Sequence, residues 1–218
     1  MSEARVIVLA GGSGTTGAVL ARQLLDAGHT VVATGRSADR LAELVAAVPA
    51  VKTVESDATD LAAMIDLSTR LLAEYGRIDA LVPLVGGWRG GGGLAGQSDE
   101  DFAALLPALE AVRATSRAFD AALQASDAGR FAIVSSTAVA RPLAGGANYA
   151  AVKAASEAWA RAVAQGFAKA ARESGEPLRA ASVVFRAKAL DAQALAARIT
   201  ALWDTDAADL NDQVFDLG

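Results

Sequence analysis

Residues 6–17 read VIVLAGGSGTTG, and the fold is decided there. Four apolar residues, Val6, Ile7, Val8 and Leu9, run into Gly11, Gly14 and Gly17, and an Ala/Leu-rich pattern follows over 18–27. An unbroken apolar run, glycines at three-residue spacing and then helical periodicity read as a buried strand, a tight turn and a helix start. Backbone amides left unhindered at a helix N-terminus suit the pyrophosphate of a dinucleotide. Glycines so spaced also fit an ordinary strand-turn-helix connection, so the motif takes its meaning from what surrounds it.

The same alternation of strand and helix repeats along the chain. Strands are expected over 30–34, 51–54 and 78–85, separated by helices over 38–48 and 61–75. Pro49 stops the first of these helices, while Asp60 caps the second and Gly76 closes it. The order βαβαβαβ requires a parallel sheet covered on both faces. Further on, Ser98 or Asp99 caps a helix over 100–125, and Pro107 inside it is expected to kink or divide it. A strand over 131–135, a helix over 147–171 with Trp159, Val163 and Phe167 as an apolar stripe, a strand over 180–185, a helix over 190–202 and a strand over 214–217 complete the chain. The expected architecture is a doubly wound, mostly parallel seven-stranded sheet with helices on both faces, one domain over residues 1–218.

Composition narrows the function. A formal charge of −5 with no run of Lys or Arg argues against nucleic acid as a partner. With no cysteine and a single histidine, His29, neither a thiol nucleophile, a histidine triad nor a metal site is expected. No apolar run reaches membrane-spanning length and no leader pattern precedes the first strand, so a cytoplasmic protein acting on a small molecule, without a membrane partner, is the expectation.

The segment after the fourth strand is rich in glycine: Gly86-Gly87-Trp88-Arg89 is followed by Gly90 to Gly93 and then Gly96. It is either a flexible surface linker or a loop lining a ligand cleft at the C-terminal end of the sheet. In the second case Trp88 forms an apolar wall and Arg89 an anion contact. After the fifth strand come Ser136, Tyr149 and Lys153. Tyr149 and Lys153 are four apart, so a helix sets the ammonium near the phenol, an arrangement suited to acid/base exchange at a carbonyl or alcohol. A serine hydroxyl on the adjoining loop can bond the same oxygen.

Taken together, Gly11/Gly14/Gly17, Gly35-Arg36, Asp57-Ala58-Thr59-Asp60, the strand and turn over 79–87, Ile133-Val134-Ser135-Ser136, and Tyr149 with Lys153 resemble the short-chain dehydrogenases/reductases over essentially the whole length. The resemblance implies that Gly11, Ser13, Gly14, Thr15, Thr16 and Gly17 form the coenzyme turn, in a spacing closer to the extended or atypical branches. It also implies that Asp57 and Ala58 meet the adenine ring and that Gly86 and Gly87 pass the nicotinamide ribose. Tyr149 matches the acid/base, Lys153 the ribose-binding residue that assists it, and Ser136 the orienting hydroxyl. Arg36 follows the second strand where the family meets the adenosine ribose, and a guanidinium there suits a 2′-phosphate, so NADP(H) is favoured over NAD(H). Arg40, one turn on, can assist.

Three departures are visible. Pro83-Leu84-Val85-Gly86 stands in place of Asn-Asn-Ala-Gly, the Asn expected near Leu109 is absent, and Phe185-Arg186-Ala187 replaces Pro-Gly before a nearly deleted lid. Phe185 and Trp88, with Leu143, are expected to line the substrate pocket, and Arg186 with Arg89 to meet an anionic group. The family associates through its two long helices, so a homodimer or homotetramer through 100–125 and 147–171 is implied. Three functions stay open: a carbonyl or alcohol oxidoreductase, a cofactor-binding subunit without turnover, and non-redox chemistry such as isomerisation, cyclisation or dehydration in the same pocket.

Overall fold

The computed structural model describes residues 4–217. Seven strands, β1 (Val6–Ala10), β2 (Thr30–Gly35), β3 (Lys52–Glu55), β4 (Ala80–Pro83), β5 (Arg130–Ser136), β6 (Ala181–Ala187) and β7 (Gln213–Asp216), form one sheet in the order β3-β2-β1-β4-β5-β6-β7. Every pairing is parallel. The chain therefore winds outward from β1 in one direction, returns to β4 and winds outward in the other. The reversal opens a crevice at the C-terminal ends of β1 and β4, where sheets of this kind bind ligands.

Helices α1 (Thr15–Asp26), α2 (Ala38–Ala47), α3 (Leu61–Tyr75), α4 (Asp99–Ala125), α5 (Ala147–Ser174), α6 (Ala192–Thr200) and the short α7 (Ala207–Leu210) connect them. One face of the sheet packs Ile7, Leu9 and Phe185 against Leu20 of α1, Leu44 of α2 and Ile199 of α6. The other packs Val8, Leu81 and Phe131 against Met64 of α3, Phe119 of α4 and Phe167 of α5. Each buried strand thus sends alternate residues to opposite cores, which is why these strands read as continuous apolar runs. Trp159 and Val163 pack against the second core beside the buried Phe167. The N-terminal end of the central strands, opposite the crevice, is fixed by Asp79, which accepts from Val6 N at 2.8 Å, Ser126 Oγ at 2.6 Å and the Arg77 guanidinium.

Of the two effects expected of Pro107, a kink or a division, division does not occur: α4 runs unbroken through it. The missing amide would have bonded the carbonyl of Ala103, an exposed position that water can satisfy. The sixth helix starts at Ala192 instead of Leu190, because Asp191 accepts from the amides of Gln193 and Ala194 and caps it there. It also ends at Thr200, followed by a 3-10 turn over Ala201–Trp203. Among the described residues no helix is long and apolar enough to cross a membrane.

Candidate active site

The glycine turn is shaped by its neighbours. Gly11 has φ 75°, and a Cβ on it would lie 2.5 Å from Val85 Cγ2, so only glycine lets β1 and β4 leave the sheet side by side. Its amide donates to Thr34 Oγ1 at 3.0 Å, which ties the turn to β2. At Gly17 a Cβ would fall 1.9 Å from the carbonyl oxygen of Gly12, so α1 begins against the turn itself. Gly14, the N-cap of α1, has no side-chain cap and open space where a Cβ would be. Around it, Thr15 is exposed and Ser13 and Thr16 are half-buried. The first amides of a helix have no partner within it, and here no side chain competes for them. Such a cradle, positive in its dipole and open where Gly14 lacks a Cβ, fits a pyrophosphate.

At the end of β2, Gly35 is needed because a Cβ there would meet Ser13 Oγ at 2.7 Å. Arg36 follows, exposed, with Nη1 3.7 Å from Asp57 Oδ2. Asp57 Oδ1 accepts from the amide and hydroxyl of Thr59 at 2.9 and 2.8 Å. Burial works to raise the Asp57 carboxyl, but the Thr59 hydrogen bonds and Arg36 outweigh it and hold the group below its ordinary value. Arg36 and Asp57 thus sit side by side on the β2/β3 flank of the crevice. Ala58 packs into the core at 3% exposure, which leaves only its main chain for a ligand.

Two adjoining cavities meet at Tyr149. The smaller, about 250 Å³, is lined by Thr16, Gly86, Gly87, Tyr149, Lys153 and Lys188 among others. The larger, about 1030 Å³, has Ser136, Tyr149, Trp88, Leu143, Lys188 and Leu190 in its walls. Helix α5 begins at Ala147 and puts Tyr149 and Lys153 on one face, the ammonium 5.7 Å from the phenol ring centroid. Lys153 Nζ donates to the carbonyl of Val134 on β5 at 2.8 Å. Burial brings the Lys153 ammonium down to about 8, and the Glu157 carboxylate opposes that shift. Gly86 lies against this ammonium, since a Cβ on it would be 4.0 Å from Nζ. Ser136, at the end of β5, accepts from the amide of Ala138 at 3.2 Å and is buried.

One turn below Lys153 is a charged cluster that no sequence pattern announces. Glu157 is almost wholly buried and accepts from Ser135 Oγ at 2.6 Å and from Arg186 Nε and Nη2 at 2.8 and 2.6 Å. Burial pushes the Glu157 carboxyl up, but the bonds from Arg186 and Ser135 prevail and hold it below its ordinary value. Where an anion contact is expected, the Arg186 fork is instead closed on Glu157, and Arg186 lines neither cavity. Phe185, its neighbour on β6, points to the opposite face, is 1% exposed and stacks on Phe215 in the core, so it is not a pocket wall either. The alternation of the strand sends one residue to each core. Arg89 is exposed and lines neither cavity.

The glycine-rich loop is anchored and is not a free linker. Gln97 Nε2 donates to the carbonyls of Gly91, Gly93 and Gly145, and its Oε1 accepts from Asn148 N. Gly91 N also bonds Gly145 O at 2.7 Å. One side chain thereby fastens the loop carrying Trp88 to the turn that starts α5. Gln97 carries no signal in the sequence, because a lone glutamine after glycines belongs to no periodic pattern. Where the relay Asn is expected, Leu109 packs against the cluster of Leu105, Ala108 and Val152, as Tyr149 also does.

A family model for the short chain dehydrogenases matches residues 5–171. Comparison with the curated proteins gave no match. Among solved structures, a short chain dehydrogenase of Shigella flexneri 2a complexed with NADP superposes at TM-score 0.84 and 18% identity, over 98% of this chain and 96% of that one. One from Burkholderia cenocepacia J2315, in complex with NADP, gives 0.81 at 23% identity over 97% and 95%. One from Streptomyces avermitilis gives 0.82 at 22% identity over 99% and 89%. These likenesses show a shared fold. The model match covers most of the chain, from the first strand through the helix bearing Tyr149 and Lys153, and on that ground the protein belongs to the short-chain dehydrogenases/reductases, a family of oxidoreductase enzymes.

Proposed function

We propose that this enzyme is an NADP(H)-dependent carbonyl reductase or alcohol dehydrogenase in which Ser136, Tyr149 and Lys153 carry the chemistry. The observation behind this reading is the position of Tyr149, which lines both the cavity shared with Thr16 and Lys153 and the cavity shared with Ser136. The turn at Gly11, Gly14 and Gly17 with Thr15 and Thr16 would hold the pyrophosphate. Arg36 would hold a 2′-phosphate, the main chain at Asp57 and Ala58 would border the adenine, and Gly86, Gly87 and Lys153 would border the second ribose. When bound, the nicotinamide supplies or accepts the hydride.

The remaining work belongs to the chain. In reduction, the Tyr149 hydroxyl donates its proton to the substrate oxygen, and in oxidation the phenolate takes it back. The Ser136 hydroxyl donates a hydrogen bond to that oxygen and fixes its direction. The Lys153 ammonium, anchored on Val134 O, supports negative charge on the phenol. With Leu109 in place of an Asn, the proton returns to Lys153 and Tyr149 from solvent in the open groove. The preference for NADP(H) is supported by Arg36 and by the NADP found with the Shigella and Burkholderia relatives. The paired helices α4 and α5 are the proposed subunit contact of a homodimer or homotetramer.

Titration of the purified protein with NADPH and with NADH, read by energy transfer from its tryptophans, tests this reading. NADPH is expected to bind at least about tenfold more tightly than NADH, with Arg36→Ala removing that margin and Tyr149→Phe leaving binding intact. Absence of saturable binding of either nucleotide to the folded protein would overturn it.

A further inference from the structure

The larger cavity carries information about the substrate. Three exposed apolar side chains from three different loops converge on it: Trp88 at 66% exposure, Leu143 at 74% and Leu190 at 42%. Large apolar groups held in water at one place mark a binding surface. At about 1030 Å³ the groove accommodates a molecule much larger than a simple ketone. Its charged wall residues are Arg141 and Lys188, with no acidic side chain among them. Both are exposed, and neither forms an ion pair among the described residues. In a chain of net charge −5, cations alone at the edge of this groove give it a local potential that attracts an anion. Lys188 also lines the smaller cavity, where it would border a bound nucleotide, whereas Arg141 lines the larger one only.

We propose that the substrate is a keto acid or hydroxy acid with a broad aromatic or aliphatic body, whose body lies on Trp88, Leu143 and Leu190 and whose carboxylate is held by Arg141. This rests on the oxidoreductase reading for the fate of the carbonyl, but not for binding. The carbonyl points to Tyr149 and Ser136 while the carboxylate stays at the wet rim, where a guanidinium binds it without full desolvation.

The probes are benzoylbutyrate and its methyl ester, which share a body and differ in charge, each titrated in the presence of saturating NADPH with Trp88 quenching as the signal and Trp88→Phe as the control for its origin. The acid is expected to bind at least about tenfold more tightly than the ester, and the margin shrinks as salt is raised. Arg141→Ala removes the discrimination and Arg141→Lys restores part of it. Equal affinity for acid and ester, no binding of either, or a discrimination that survives Arg141→Ala would overturn the proposal. Selective binding of the acid without oxidation of NADPH would support the anion site and count against the oxidoreductase reading, so the two fail separately.

Discussion

Removal of Arg186 tests whether the cluster beneath Lys153 is held by charge pairing. The Arg186 side chain is 20% exposed and that of Glu157 5%, with contacts of 2.6 and 2.8 Å. Arg186→Ala strands a carboxylate in the space between α5, β5 and β6. Removing one partner of such a buried pair costs about 3–5 kcal/mol, because the remaining charge keeps its desolvation penalty. For a chain of this size that corresponds to a melting temperature lower by roughly 10 °C. The pH dependence fixes the cause. In the parent, Glu157 is held below its ordinary value of 4.5, so the stability it contributes is complete above that value and is lost as pH falls through the lower folded one. In the variant, burial without Arg186 pushes the carboxyl up, so the folded state gains by protonation as pH falls. The stability gap between the two proteins is therefore widest near neutrality and narrows toward pH about 4, and Glu157→Gln in the Arg186→Ala background recovers part of the loss. Urea unfolding across pH is the assay. A gap under about 1 kcal/mol at neutral pH, or one that does not narrow on acidification, would refute this reasoning.

Other outcomes follow from the site. Gly17→Ala, whose Cβ would sit 1.9 Å from Gly12 O, is expected to cost about 1–3 kcal/mol and abolish measurable NADPH binding; Gly14→Ala, with nothing within 4 Å, keeps its stability but weakens NADPH about tenfold, as calorimetry on both variants will show. Gln97→Ala releases the loop from the carbonyls of Gly91, Gly93 and Gly145, which share one side-chain amide worth about 1 kcal/mol in all, so hydrogen exchange over residues 88–96 quickens and KM rises while the urea midpoint shifts little. Lys153 loses its proton at about 8, so kcat/KM for reduction falls as pH rises through that value, and Lys153→Arg moves the falling limb to higher pH; a profile flat to pH about 10 would speak against a role for the ammonium.

How far the sequence reveals the structure differs by element. Helix α3 is read to the residue because Asp60 caps it and Gly76, at φ 73°, ends it, and both signals are local. The seven strands and their alternation with helices are legible for the same kind of reason, since a two-sided sheet writes itself as apolar runs. Whether Pro107 divides α4 depends on whether the carbonyl of Ala103 can be hydrated, which sequence does not state. Phe185 and Arg186 are hard to place because both lie at the crevice end of β6, yet their destinations depend on which face of the sheet each side chain takes and, for Arg186, on Glu157 waiting opposite, 29 residues earlier. Gln97, Ser135 and Glu157 act through partners distant in sequence. Arg141 and Lys188 become conspicuous only when folding brings both to one rim, without an ion-pair partner among the described residues.

Hydride chemistry at Tyr149 is tested most directly by the transfer of deuterium from NADPH carrying deuterium at both nicotinamide C4 positions to an aryl ketone, followed by mass spectrometry of the alcohol formed. The parent enzyme is expected to yield alcohol carrying the label at the former carbonyl carbon, and Tyr149→Phe to yield almost none while still binding NADPH. Unlabelled product, or undiminished transfer by Tyr149→Phe, would contradict the assignment of hydride chemistry to this site.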